Sequence, residues 1–319
     1  MFDTSFLHYA TVGLVVGCNS VAVGIGEGLT SLAALKAFII QPSAREEITR
    51  TLMLSMALIE TSAVIGLTIG FMFLTPPADN PHVFLMHYSV TGIGLAICLT
   101  GFVLGIAASF PAQAACLAVA RQPFFNQKIQ MLMLLTQSLM QTPLLFAFII
   151  SFFIKEQIPH VTSLAGSMRL IAAGLCIGLG SIGPTIGLAH FARQACKSLG
   201  VNRYAYKEIL SFTLISEALI ESPIIFSLVM SFALLGTNPS AMSLATGGIP
   251  FIAAAIVMGL GTLGVGIGSG YTATKSCKYL AINPESYSQL SRTSLTAQVL
   301  IETCSIYAFL IALFVLLLQ

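Results

Sequence analysis

Eight long apolar stretches account for nearly the whole chain and restrict where it can fold. They cover roughly residues 6–40, 48–74, 84–119, 129–154, 164–192, 208–236, 247–274 and 290–318. A helix needs about 20 apolar residues to cross the hydrocarbon core of a bilayer, and every stretch is long enough. Charged residues make up only 8% of the 319 positions, so lipid must be the solvent for most of the chain. The sequence therefore predicts an integral, multi-pass membrane protein.

Helices rather than strands are expected to cross the membrane. Open sheet edges cannot lie in hydrocarbon, and the apolar runs are far longer than a barrel strand of about 10 residues. The predicted fold class is an all-α membrane protein with eight transmembrane helices.

One hairpin is repeated four times along the chain. Glu60, Gln141, Glu221 and Glu302 are separated by 81, 80 and 81 residues, and they stand in the similar words ALIETS, SLMQTP, ALIESP and VLIETC. We expect four tandem helical hairpins, at 1–80, 81–159, 160–241 and 242–319. Hairpin 2 is the copy that has glutamine at the repeated position.

The loops within the hairpins share the same register. Pro42, Pro123 and Pro284 stand eighteen residues before the repeated position, and Arg203 takes that place in hairpin 3. The linkers between hairpins, such as Thr75 to Pro81, are predicted to be short turns on the opposite side of the membrane.

The basic residues are distributed unequally between the two sides. Of fourteen Lys and Arg, only Lys155 and Arg169 fall on the side of the linkers. The other twelve lie in or beside the loops within hairpins: Lys36, Arg45, Arg50, Arg121, Lys128, Arg193, Lys197, Arg203, Lys207, Lys275, Lys278 and Arg292. The positive-inside rule then predicts cytoplasmic hairpin loops and external termini. A net charge of +2 gives no indication of a nucleic-acid partner.

The repeated glutamates are the strongest functional signal. At about 1.5 Å per residue, Glu60 lies roughly 27 Å along its helix from Pro42, with about 21 Å of apolar helix remaining to Leu74. An ionisable group near mid-membrane is costly and indicates a functional site. Hydrocarbon favours the protonated, neutral carboxyl, so Glu60, Glu221 and Glu302 are predicted to be reversible ion carriers. A glutamate merely hydrogen-bonded to a neighbour is the alternative, which three recurrences at one register disfavour.

The first helix of each hairpin carries glycines at close spacing. In lipid, such glycines let neighbouring backbones approach closely. Four aligned stripes favour a ring of tightly packed inner helices, while contact within one monomer is the simpler alternative. The predicted ring-packing residues are Gly24, Gly26, Gly28, Gly105, Gly187, Gly266 and Gly268.

The glycine stripe, the basic Gln-Pro loop and the glutamate eighteen residues later together resemble the c subunit, or proteolipid, of F-type ATP synthases. Arg121, Gln122 and Pro123 match the loop in full, whereas hairpin 1 keeps Gln41-Pro42 and hairpin 4 only Asn283-Pro284. The resemblance covers essentially the whole chain.

This resemblance implies a non-catalytic subunit of an energy-transducing membrane. Copies of the chain would form a lipid-embedded ring without a cofactor, and an arginine of the stator a subunit would release the ion from each glutamate. The hairpin loops would contact the central-stalk subunits through Gln41, Pro42, Arg121, Gln122, Pro123, Arg203 and Pro284.

Two departures from the family pattern matter. Family members usually have one hairpin, whereas this chain is a fusion of four. Gln141 replaces the carboxylate of hairpin 2, and glutamine does not ionise. Hairpin 2 is therefore predicted to carry no ion.

The transported ion is predicted to be H⁺, with Na⁺ as the alternative. Resemblance to sodium-driven c subunits makes Thr61, Ser222, Thr303 and Tyr307 candidate ligands. The family's sodium pattern also has a glutamine in the first helix, at a register held here by Glu27, Ala108, Leu188 and Ser269. Two of these four supply no side-chain oxygen, and incomplete coordination harms Na⁺ binding more than protonation. Glu27 has three possible roles: sharing a proton with a site carboxyl, completing a cation site, or bonding to a neighbouring helix.

Two other functions fit parts of the pattern. A vacuolar-type proteolipid pump subunit shares the fused hairpins and the glutamate. A monomeric ion channel or transporter built from parallel repeats would use the same carboxylates without rotation.

Overall fold

The computed structural model describes residues 4–74, 83–239 and 245–318. Within these ranges, eight helices are long and apolar enough to cross a membrane, as the sequence predicts. The boundaries expected at 80/81 and 241/242, and the linker from Thr75 to Pro81, lie outside the described residues. The boundary expected at 159/160 falls in a short 3-10 turn, Ile158–His160.

Each hairpin consists of a first and a second helix. In hairpin 1 the first helix is Thr4–Ile40 and the second comprises Arg45–Ile59 and Thr61–Met72. In hairpin 2 the first comprises Val83–Ala107 and Ser109–Arg121, and the second Asn126–Leu139 and Thr142–Gln157. Hairpin 3 has Leu164–Val201 and Tyr206–Gly236, and hairpin 4 has Ile249–Ile282 and Tyr287–Leu317.

The same 3-10 turn joins the two helices of every hairpin. These turns are Pro42–Ala44, Pro123–Phe125, Arg203–Ala205 and Pro284–Ser286. Proline suits the first position of such a turn because its φ is fixed near the helical value. It also lacks a backbone N–H, which would have no partner within the turn at this position. Where Arg203 replaces it, the Asn202 side chain accepts a hydrogen bond from the Tyr204 backbone N–H at 3.0 Å, which holds the turn instead.

Helix interruptions in the second helices coincide with the repeated position rather than with proline. The second helix is interrupted at Glu60 in hairpin 1, which has no proline after it, and at Met140 and Gln141 in hairpin 2. The second helix of hairpin 3, by contrast, continues unbroken through Pro223. Proline alone therefore does not account for these interruptions.

The four hairpins pack side by side in chain order. The first helices form one row, and each contacts the first helix of the next hairpin. The second helices form another row, each packed on its own first helix and on its neighbours along the chain. Side-by-side packing of repeats places corresponding residues at corresponding junctions, and hairpins 1 and 4 form the two ends of the row.

Glycine permits the close approach of the first helices. A Cβ atom on Gly26 would overlap the Gly105 carbonyl oxygen, and one on Gly187 would overlap that of Gly266. These are equivalent contacts at the 1–2 and 3–4 junctions, so neither glycine tolerates a side chain without separating the helices.

The glycines on the outward faces of hairpins 1 and 4 have open space around them. Neither Gly24 nor Gly28 of hairpin 1 has an atom within 4 Å of an added Cβ, and the one on Gly268 of hairpin 4 would meet only the Ile301 side chain, at 3.5 Å. Gly24 corresponds to Gly105, which packs on the preceding hairpin, so it faces the place that a preceding hairpin would take.

Candidate ion-binding sites

The four repeated residues lie at equivalent points of the second helices, each followed by a hydroxyl. Every one of these hydroxyls donates a hydrogen bond to the backbone carbonyl three residues before it, as helical Ser and Thr side chains commonly do. The pairs are Thr61 to Leu58 at 2.6 Å, Thr142 to Leu139 at 2.9 Å, Ser222 to Leu219 at 2.8 Å and Thr303 to Leu300 at 2.7 Å. The hydroxyls are therefore held at one geometry in all four copies.

Gln141 lies at the junction between its own hairpin and the preceding one. Its side-chain Nε2 donates to the Leu58 carbonyl oxygen at 3.0 Å. Its Oε1 lies 2.8 Å from the Thr61 hydroxyl, whose single O–H is shared between this oxygen and the Leu58 carbonyl. Both partners belong to hairpin 1, immediately around Glu60. A protonated carboxyl could make the same pair of bonds, with O–H in place of N–H, so glutamine reproduces the neutral state of a site carboxyl permanently.

Glu221 occupies the corresponding place at the next junction. The Thr142 side chain of hairpin 2 hydrogen-bonds to the Glu221 carboxyl, as Thr61 does to Gln141. The Oε1 atom of Glu221 is buried without a hydrogen-bond partner in the structure. The carboxyl is therefore held on one side and keeps an oxygen available for a proton or cation.

The remaining two glutamates differ in exposure. Glu302 is half-buried, whereas Glu60 is exposed, because the open end of hairpin 1 has no preceding hairpin. Thr303 at the other end is half-buried, and its neighbour Tyr307 is 64% exposed. Glu60 and Thr303 therefore lie at opposite ends of the row, and the structure does not place them in contact with each other.

Glu27 lies close enough to Glu60 for their carboxyls to interact electrostatically. The residues at its register in hairpins 2, 3 and 4, Ala108, Leu188 and Ser269, are buried. The structure thus brings Glu27 to one site of the four, and its three possible roles remain predictions.

Glu217 is a further carboxyl group within the membrane-spanning helices, four residues before Glu221. It is fully buried, and neither carboxyl oxygen has a hydrogen-bond partner in the structure. Gln137 and Gln298 hold the same register in hairpins 2 and 4, and Met56 in hairpin 1. The 80- and 81-residue spacing, applied four residues before each site, would have revealed this second polar row.

The predicted loop residues lie at the ends of the hairpins, and one has a structural role. The Gln122 side chain donates to the Gly200 carbonyl oxygen of hairpin 3 at 3.2 Å, as Asn202 donates to Ala281 of hairpin 4 at 3.0 Å. These amides join neighbouring hairpins. Gln41 instead donates to the Ser43 hydroxyl of its own loop at 2.9 Å.

Fold and sites together define a membrane protein of repeated helical hairpins, with a carboxyl group or a glutamine at the equivalent point of each second helix. Comparison with known proteins identifies the family. The family model that describes the c subunit of ATP synthase matches the chain four times, at residues 10–73, 91–154, 171–234 and 252–315. The chain therefore belongs to the ATP synthase c-subunit family, as a form with four tandem repeats.

Individual relatives match about one hairpin each. The ATP synthase c subunit of Mesomycoplasma hyopneumoniae is 43% identical over 63 residues, which are 20% of this chain and 61% of that protein. The chloroplastic ATP synthase c subunit of Emiliania huxleyi is 46% identical over 72 residues, 23% of this chain and 88% of that protein. The ATP synthase c subunit of Prochlorococcus marinus is 36% identical over 77 residues, 24% and 95% respectively. The alignment thus spans about three fifths of the Mesomycoplasma relative and most of the other two.

Proposed function

We propose that this chain is the ion-carrying rotor subunit of a rotary ATP synthase and has no catalytic activity of its own. Family membership supports this function, and the observation that carries it is the repeated junction. A carboxyl or its glutamine substitute faces the hydroxyl of the preceding hairpin at the two junctions where the contact is resolved. Glu60, Glu221 and Glu302 are the carriers in this proposal.

The chemistry follows from the lipid environment. A carboxyl is neutral while it faces hydrocarbon, since an isolated charge there is costly. A cationic arginine of the stator a subunit would stabilise the carboxylate, so the ion leaves at the stator and a new one binds as the site returns to lipid. Gln141 cannot take part, because its amide stays neutral.

Ring closure would complete the fourth site. Thr303 and Gly268 lie at the open face of hairpin 4, while Glu60 and Gly24 lie at that of hairpin 1. By analogy with the 1–2 and 2–3 junctions, Thr303 would meet Glu60 of the next copy. A heterologous contact of this type generates a closed ring if the rotation closes.

The hairpin loops are proposed to face the cytoplasm, or the equivalent compartment, and to contact the central stalk. The asymmetry of the basic residues supports the orientation. Phe124 is fully exposed and Tyr204 is 81% exposed at the loop tips, and exposed aromatic side chains are common at protein interfaces.

The proposed ion is H⁺, with Na⁺ as the alternative. The first-helix register that supplies a sodium ligand in the family holds Ala108 and Leu188 at two of the junctions. Carbodiimide labelling of the purified ring tests this directly. We expect Glu60, Glu221 and Glu302 to be labelled at a rate that added Na⁺ does not change, and protection by Na⁺ at neutral pH would establish the sodium alternative.

The intact mass of the detergent-solubilised complex separates a rotor from a channel or transporter. A rotor subunit should form a ring whose hairpin number is a multiple of four. A stable monomer of eight helices would contradict the proposal. The same measurement does not separate a vacuolar-type proteolipid, but the family match favours the ATP synthase.

A further inference from the structure

Two adjoining grooves lie at the loop end of the first helices. The larger, of about 300 Å³, lies between hairpins 2 and 3, and the other, of about 290 Å³, between hairpins 3 and 4. Gln194, Lys197 and Thr274 line both. Only first-helix residues contribute, so the grooves open on the face of the row that the second helices do not cover.

The lining of both grooves is strongly cationic. Arg121, Arg193 and Lys197 line the first groove, and Lys197, Lys275 and Lys278 line the second. All five side chains are exposed, and no carboxylate lines either groove. Three cations around a cavity, with amide and hydroxyl donors beside them, suit a phosphate group.

The depth of these cations separates them from the loop tips. Lys197 lies six residues before the loop residue Arg203, and Arg193 lies ten residues before it, which correspond to about 9 and 15 Å along the helix. With the site carboxyls at mid-membrane, about 27 Å from the loop, a hydrocarbon core of about 30 Å begins about 12 Å below the loop. The cations therefore lie within the headgroup layer and at its inner edge.

On the hydrocarbon side of the second groove, the first helix of hairpin 4 carries a tyrosine. Tyr271 lies one helical turn below Lys275 and is 52% exposed. An aromatic ring with a polar tip suits the boundary between headgroups and acyl chains. A ligand with an anionic head and an apolar tail matches this order of side chains.

We propose that the two grooves bind the headgroups of anionic phospholipids on the loop side of the membrane. Basic pockets between transmembrane helices on that side are suited to such headgroups. A stalk protein would meet the loop tips, which lie farther from the bilayer than Lys197. This placement rests on the proposed ring, in which the grooves would face the enclosed bilayer.

Lipid retention by the purified full-length ring tests the proposal. The ring is exchanged into vesicles of phosphatidylcholine with a minor fraction of phosphatidylglycerol, solubilised again, and its bound lipids are counted by native mass spectrometry. We expect phosphatidylglycerol to be enriched in the wild type. Each cation near an anionic surface contributes about fivefold in affinity, so the double variant Arg193→Gln, Lys197→Gln should bind roughly 30-fold more weakly.

A matched control removes the same charge elsewhere. Lys207→Gln with Arg292→Gln removes two exposed cations of the second helices and should keep the enrichment. Equal loss in both double variants, or equal retention of phosphatidylcholine and phosphatidylglycerol by the wild type, would overturn the proposal. Inorganic phosphate is tested separately: displacement of the lipid by millimolar phosphate would show that the grooves recognise the free anion instead. The wild-type comparison decides the question even if the variant ring fails to assemble.

Discussion

Gln141→Glu is expected to convert the inactive junction into a working one. The amide bonds to the Leu58 carbonyl and the Thr61 hydroxyl at 3.0 and 2.8 Å, and a protonated carboxyl keeps both contacts. Each such bond contributes about 1 kcal/mol, so preserving both should leave ring stability within about 1 kcal/mol of the wild type.

The energetic effect of the substitution is larger than its structural effect. One ion crossing the membrane contributes about 2.3 kcal/mol per 100 mV. Three carriers per chain then deliver about 7 kcal/mol at 100 mV, and four deliver about 9. The variant should synthesise ATP at a lower membrane potential than the wild type.

Two assays check this expectation. Carbodiimide labelling with peptide mapping should find three labelled carboxyls per chain in the wild type and a fourth, at position 141, in the variant. The threshold potential for ATP synthesis should fall by about a quarter, in the ratio of the two energies. Gln137→Glu is the matched control: it adds a carboxyl one turn away at a fully buried position, which should remain unlabelled. A Gln141→Glu ring that assembles but leaves position 141 unlabelled would refute the assignment of this junction as a lost ion site.

Three further pairs of substitutions test other contacts. Thr142→Val removes a hydroxyl that bonds to Glu221, and we expect it to slow ATP synthesis roughly tenfold. Thr61→Val removes a hydroxyl that bonds to Gln141 and should have little effect. Equal slowing by both variants would contradict the roles given to the two junctions. Glu217→Gln should raise the thermal stability of the ring by about 1 kcal/mol, because an amide there can donate to the Leu188 carbonyl as Gln137 donates to the Ala108 carbonyl at 2.8 Å. Glu285→Gln, at an exposed position, is the control. A lower melting temperature for the Glu217 variant would contradict this account. Gly26→Leu should destabilise the chain by about 1–3 kcal/mol, because its Cβ would meet the Gly105 carbonyl. Gly24→Leu should leave the isolated chain folded and block only ring closure. Thermal unfolding measures the first effect and native mass the second, and normal rings with Gly24→Leu would exclude that face as a ring contact.

The sequence predicts the helices, the repeat and the position of the site residues, because each depends on spacing along one helix. Glu60 and its equivalents are identified by an 81- or 80-residue repeat and by charge in an apolar run. Such signals need no knowledge of how the helices pack.

The partners of each site could not be predicted in the same way. That the Gln141 amide contacts Leu58 and Thr61 depends on the side-by-side packing of hairpins 1 and 2, which the spacing within one helix does not determine. The same limit applies to glycine: Gly24 and Gly26 belong to one stripe, yet one is open and the other meets the Gly105 backbone. Helical periodicity places residues on a face, whereas packing decides what that face meets.

The covalent joining of four hairpins restricts the number of ions per turn, and so the ion-to-ATP ratio, of the proposed rotor. In a ring built only from this chain, adding or removing one copy would change the ring by four hairpins and three ions at once, so ion-to-ATP ratios between these values would be inaccessible. The stator would also meet the sites in a fixed rhythm, with three loaded positions and then the silent Gln141 position. The proposed ring would cross each silent position without an ion, so the elasticity of the rotor would carry the rotation across an angle twice the usual step.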